Sequence, residues 1–169
     1  MKNILDGKHL QLLYSAYIKS NIEYCCALFA GMPECYIKPI IKLQKRAVRI
    51  IAGASIIAHT ENLFKDLRIL PYDKLIIFNV CKFMFSYKIN KVPEPFYNTW
   101  QTKSEMRGRN LRNDDDFYIP FTNKTYLKNL PFFKFPYIWN SLPVNIKSIK
   151  DKNLFLETLT QHLLDQIHF

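Results

Sequence analysis

The sequence predicts a mainly α-helical protein: a helical bundle, then a less regular C-terminal segment of short strands or extended chain, closed by a last helix. Three observations carry this reading. Apolar residues recur every three or four positions along most of the first 100 residues, the signature of helices that bury one face. Only 4 glycines occur in 169 residues, too few for the turns of an all-β fold. Apolar residues make up 49% of the chain, enough for a real core, so the composition is not that of a disordered chain.

The elements follow in order. From about Leu5 to Ser20, Leu5, Leu12, Leu13, Ala16 and Tyr17 stand at helical spacing. Ser20-Asn21-Ile22-Glu23 reads as a capping box that starts a short apolar helix from Ile22 to Phe29, ended by Gly31-Met32-Pro33. A central helix then spans Glu34 to Ile51, with Pro39 in its first turn or kinking it. Gly53 suits a left-handed turn at its end. Thr60 is the expected N-cap of a helix through Leu67, with Leu63, Phe64 and Leu67 inward. Leu70-Pro71 breaks that helix, and Asp73 can cap the next. The stretch from Lys74 to Ile89 is apolar on nearly every side and should be the most buried helix. Val92-Pro93-Glu94-Pro95 stops it, and Phe96, Tyr97 and Trp100 anchor the exit.

The first 100 residues thus read as one helical domain. Residues 101–116 are polar and charged and read as a loop or linker. Residues 117–169 form an aromatic-rich C-terminal segment. There Phe117, Ile119, Phe121 and Tyr126 alternate roughly with polar residues. A final helix is expected from Asn153 to about Ile167, with Leu154, Phe155, Leu159, Leu163 and Ile167 inward.

The central helix is the most informative stretch. At about 100° per residue, Ile40, Leu43, Ala47, Ile50, Ile51 and Ala54 share one face, and Lys42, Lys45, Arg46 and Arg49 the other, with no acid among them. Such a face is either an ordinary solvated helix surface or a ridge for a phosphate backbone. The formal net charge of +10 points to polyanionic company, nucleic acid or an anionic membrane surface. A second basic cluster, Arg107, Arg109 and Arg112, shares its loop with Asn110 and Asn113, groups suited to phosphate and base edges. Asp114, Asp115 and Asp116 follow and can neutralise it locally.

Several classes of chemistry find no seat. Cys25, Cys26, Cys35 and Cys81 contain no C-x-x-C pair, and no histidine spacing matches them, so they read as buried free thiols rather than zinc ligands. No phosphate-cradling glycine loop occurs. The aspartate run invites a metal-nuclease reading, but it lies in a polar loop with no second acid placed by the sequence. The aromatic residues from Phe132 to Trp139 are read as packing anchors, with base stacking as the other option. No apolar run reaches the roughly 18 residues of a membrane span, and the N-terminus lacks a signal peptide's apolar stretch. The expectation is a soluble intracellular protein, cytoplasmic or nuclear, with no membrane partner and no small-molecule substrate.

One ordered set of residues adds to this reading. Leu13-Tyr14-Ser15-Ala16-Tyr17-Ile18, Tyr24, the run L-Q-K-R-A-V-R-I-I over residues 43–51, His59-Thr60, Leu63-Phe64, Leu67 to Leu70, Phe83-Met84-Phe85 and the W-N-S-L-P of residues 139–143 follow one another in a familiar order. Together they resemble the C-terminal, thumb and post-thumb, part of the reverse transcriptase of jockey-like non-LTR retrotransposons. The middle loop departs from that family's pattern: Arg107 stands where a His is usual, and Asn110-Leu111-Arg112 replaces Asn-Thr-Arg. Ala30 precedes Gly31 where many members have Trp.

The resemblance implies a fragment of an RNA-directed DNA polymerase. The family's catalytic aspartates and their Mg²⁺ belong to a palm that nothing in this chain matches, so the chain is expected to be inactive alone and to hold no cofactor. Its expected partners are RNA or DNA template–primer and the palm and fingers of the same polyprotein. The expected contacts are Lys42, Lys45, Arg46 and Arg49, with Arg107, Arg109 and Arg112 as secondary ones. The alternative is a helical protein–protein docking module without direct nucleic-acid contact.

Overall fold

A computed structural model describes residues 5–107 and 116–167. In chain order these form α1 (Gly7–Leu13), α2 (Ser20–Glu23), α3 (Glu34–Ile51), α4 (Glu61–Asp66), α5 (Tyr72–Lys88), α6 (Lys103–Arg107), α7 (Thr125–Lys128), α8 (Pro131–Asn140), α9 (Val144–Lys147) and α10 (Lys152–Asp165). The protein is mainly α, as the apolar periodicity predicts. Among the described residues there is no sheet, only one antiparallel bridge between Thr102 and Phe117. In the aromatic segment, residues 118–124 take neither helix nor strand. Most of the expected linker, residues 108–115, lies outside the described residues.

The chain forms two compact units interleaved in sequence. One comprises Met1–Cys26, Met32–Ile76 and Thr160–Phe169, the other Ala27–Gly31 and Ile77–Leu159. In the first, Tyr14, Val48, Ile51, Phe64, Ile69, Leu164 and Ile167 form the core, with Leu10, Ala47, Leu63, Leu67 and Leu70 packed against it. Helix α1 opens at Asp6, whose carboxylate accepts the Gly7 amide at 2.7 Å. A π-helical turn over Tyr14–Lys19 carries it into α2 without a break. Ser20 is therefore not the expected N-cap. Its amide already bonds back to the Ser15 carbonyl, and its hydroxyl donates to the Ala16 carbonyl. No helix start is left there to cap, and residues Cys26–Gly31 form tight 3₁₀ turns in place of the expected α-helix.

The later helices of this unit follow the sequence more closely. Gly53 takes φ 66°. Around it the Ala54 amide reaches the Arg49 carbonyl at 2.9 Å, closing α3 as a left-handed cap does. Thr60 precedes α4, but its buried side chain makes no capping bond. Asp73 lies within the first turn of α5 rather than ahead of it, where the helix dipole favours a carboxylate.

Helix α5 is buried on several sides, through Leu75, Ile76, Val80, Cys81, Met84 and Phe85. Burial pushes the Cys81 thiol up to about 12, which leaves it inert at neutral pH. The expectation of four buried thiols holds for Cys26 and Cys81 only; Cys25 and Cys35 are exposed, because neither lies on the buried side of its turn.

The second unit is built on aromatic rings. Phe83 meets Phe96, Trp100 and Phe135 edge-on, with centroids 5.3, 6.1 and 5.7 Å away. Trp100 stacks against Phe132 and Phe135, and its indole N–H donates to the Phe132 carbonyl at 2.7 Å. Phe85 and Phe155 stack at 4.4 Å. The rings of Phe135 and Trp139 are thus spent on packing, as the Pro-interrupted aromatic run suggests. In α10, Phe155 and Leu159 are buried. Leu154 is exposed, contrary to expectation, and Leu164 takes an inward place instead.

Candidate nucleic-acid interface

Helix α3 carries the basic face. Its buried side is rotated from the one the apolar pattern suggests. Gln44, Val48 and Ile51 are buried, while Leu43 is 68% and Ile50 46% exposed. A polar residue displaces the apolar stripe because its amide has fixed partners in the core. Gln44 Nε2 donates to the Tyr14 hydroxyl at 2.9 Å and toward the Leu70 carbonyl at 3.4 Å. Its Oε1 accepts the Tyr72 amide at 2.7 Å. One side chain thereby ties α3 to α1's π-turn and to the start of α5. Burial, only partly offset by the Gln44 bond, raises the Tyr14 phenol above its ordinary range. Gln44→Leu should leave the Tyr72 amide and the Tyr14 hydroxyl without partners, at about 1–3 kcal/mol for each orphaned group. Urea unfolding followed by circular dichroism measures it.

Opposite this anchor stand the cations. Lys42 and Arg46 are exposed, and Lys45 and Arg49 half-buried. Arg49 Nε donates to the Ala58 carbonyl at 2.9 Å, so this arginine also pins the loop after α3. Burial holds the Lys45 ammonium below its ordinary value, the Arg49 charge adds to that, and Glu61 and Asp73 pull the other way. The fold thus brings two acids toward a face that carries none in its own sequence. Lys38 extends the ridge: it lies four residues before Lys42 and seven before Lys45. Sequence reasoning missed it, although its spacing was the available signal. It pairs with Glu34 at 2.8 Å, both side chains well exposed, an arrangement that contributes little to stability. Lys38, Lys42 and Arg46 follow one another in steps of about 6 Å along the helix axis.

A cleft of about 540 Å³ runs beside the ridge. Ile37 and Ile41 contribute its apolar lining, and Lys38, Lys42 and Lys45 line it with Glu34 and Asp73. Asp73 Oδ1 is buried without a hydrogen-bond partner among the described residues.

Arg109 and Arg112 lie outside the described residues, as do Asp114 and Asp115; Arg107 closes α6. Asp116 is described, and it is an ion-pair centre. Lys103 Nζ meets its Oδ2 at 2.8 Å and Lys147 Nζ its Oδ1 at 2.7 Å. Asn140, of the W-N-S-L-P run, clasps the next residue: its Oδ1 accepts the Phe117 amide at 2.9 Å and its Nδ2 donates to the Phe117 carbonyl at 2.8 Å. Among the described residues no group of three or more His, Cys, Asp or Glu side chains is placed to hold a metal ion, and no helix is long and apolar enough to cross a membrane.

Compared with protein-family models, curated proteins and solved structures, the chain matches none.

Proposed function

We propose that this chain supports nucleic-acid binding as the thumb and post-thumb part of a jockey-like non-LTR reverse transcriptase. The observation that carries the proposal is the α3 ridge, where Lys42 and Arg46 stand exposed beside Lys38, Lys45 and Arg49. Cations at helical spacing attract a phosphate backbone through Coulomb forces and counterion release, with no need to read sequence. The ordered motifs and the +10 net charge favour the same partner. Polymer synthesis would belong to a palm carrying the Mg²⁺ aspartates. This chain's share is to steady template–primer, with Arg107, Arg109 and Arg112 as secondary contacts.

Binding to a short RNA or DNA strand should fall steeply with salt. Lys42→Glu with Arg46→Glu should weaken it at least tenfold at low salt and make the slope of log K against log salt shallower by about two. Lys91→Glu with Lys128→Glu changes the net charge equally at exposed sites off the ridge. Equal losses from the two pairs, in fluorescence anisotropy, would assign the attraction to overall charge and overturn the ridge.

A second reading rests on its own observation. Beside the cations, Leu43 and Ile50 are exposed, and the Arg49-pinned loop presents Ile56 and Ile57 at 88% and 89% exposure. Apolar side chains so displayed mark protein contact surfaces. On this reading the unit docks onto another protein, and strand binding would be insensitive to the ridge pair.

A further inference from the structure

The second unit contains a cleft of about 600 Å³ to which no role attaches so far. Trp100, Phe117 and Val92, all buried, contribute its apolar lining. Tyr87 holds that side in shape: its hydroxyl donates to the Trp100 carbonyl at 2.6 Å and accepts the Trp100 amide at 2.9 Å. Its ring meets Trp100 and Phe117 edge-on at 5.1 and 5.7 Å.

The exposed lining is of a different kind. Asn90, Asn98 and Gln101 offer three primary amides to the cleft, and none of these side chains makes a hydrogen bond among the described residues. Asn90 and Asn98 both hold left-handed backbone, at φ 54° and 58°, a conformation that asparagine tolerates better than most residues. Tyr97 is half exposed at the same rim. Lys88 brings a positive charge, its Nζ also donating toward the Lys147 carbonyl at 3.4 Å. The acid of the lining, Glu105, is already engaged, its Oε2 accepting the Thr102 amide at 2.7 Å.

We propose that this cleft binds a nucleobase together with its phosphate. A base is flat and carries donors and acceptors side by side on its edge. An amide presents both donor and acceptor and matches such edges. An exposed phenol ring is a stacking platform for a base that is not paired. The ammonium of Lys88 suits the attached phosphate. The volume lies in the range of small-ligand sites. The inference deepens the nucleic-acid reading, since a base is available to the cleft when it stands out of a duplex, but it rests on different residues from the ridge.

The test uses the full chain. Adenosine monophosphate, ribose 5-phosphate, a short single-stranded oligonucleotide and the same strand as duplex are titrated by calorimetry. The nucleotide and the single strand should bind, and ribose 5-phosphate and duplex should bind at least fivefold more weakly at this site. Asn98→Gly keeps the left-handed backbone while removing the amide. Combined with Gln101→Ala, it should weaken nucleotide binding at least fivefold with an unchanged melting temperature. Binding of the nucleotide alone, or of the strand more tightly, distinguishes a free nucleotide from an unpaired base as the source, and both fit the cleft. Equal binding of ribose 5-phosphate and the nucleotide, or no effect of the amide variant, overturns the inference. The ridge pair Lys42→Glu and Arg46→Glu should leave nucleotide binding intact, so failure of the ridge and failure of the cleft show in different titrations.

Discussion

Asp116→Ala should destabilise the protein by about 3–5 kcal/mol, the usual cost of removing one partner from a buried ion pair. The expectation follows from the asymmetry of the cluster. Lys147 is only 4% exposed, and its ammonium faces the Asp116 carboxylate at 2.7 Å and the Asn140 carbonyl at 3.4 Å. Without the carboxylate, a desolvated cation keeps one weak acceptor. Lys103 is more exposed, so water can take over its share. Lys147→Met should accordingly restore part of the stability lost in Asp116→Ala, since it removes the orphaned charge and keeps the bulk. The double variant melting no higher than the single one would refute this account.

The same carboxylate predicts acid sensitivity. Burial pushes the Asp116 carboxyl up, but hydrogen bonds from Lys103 and Lys147, and then their charges, outweigh it and leave it below the ordinary carboxylate value. A group depressed in the folded state stabilises fully above its unfolded pKa, near 3.9. That contribution fades as pH falls through the folded value. Unfolding free energy should therefore decline below about pH 4, and the decline should be shallower in the Asp116→Ala, Lys147→Met double variant.

Gly31→Ala should be the second severe change. A Cβ at Gly31 would lie 1.8 Å from the Asn129 carbonyl oxygen and 2.7 Å from its carbon. Both are backbone atoms, which cannot rotate away as a side chain would. Either the Cys26–Gly31 turns or the end of α7 must move. Overpacking of this kind costs about 1–3 kcal/mol, occasionally more. Ser at the same position should do the same, because the obstruction is the Cβ itself. A thermal melt within about 1 °C of the unsubstituted protein would show that the two backbones do not touch in solution.

Much of the fold is legible in the sequence where one physical signal dominates. The α3 span, its Gly53 cap, the burial of α5 and the position of the last helix follow from periodicity, glycine at a helix end and unbroken hydrophobicity. Other features fail for a stated reason. Ser20 carries the residues of a cap, but a cap needs a free helix end, and the π-turn before it removes one. Leu43 and Ile50 carry the apolar pattern of a buried face, yet Gln44 takes that place because three distant groups need an amide. No local pattern marks Lys147 for burial, and its acid partner stands 31 residues away. In the candidate ridge, the cations of α3 are legible one by one. The acids Glu61 and Asp73, which temper Lys45, come from other helices, and no local pattern announces them.

The clasp around Phe117 has a consequence for how the chain is held. On either side of residues 108–115, the backbone is tied together. The Lys103 amide bonds the Asp116 carbonyl at 2.9 Å, and the Tyr118 amide bonds the Gln101 carbonyl at 2.8 Å. Asn140 and Lys147 then hold Asp116 and Phe117 from the other side. The entropy of bringing the two ends together is met by these bonds, and it grows only slowly with the length of chain that joins them. The clasp thus fixes Thr102 and Phe117 as neighbours by its own contacts, across a long separation in sequence.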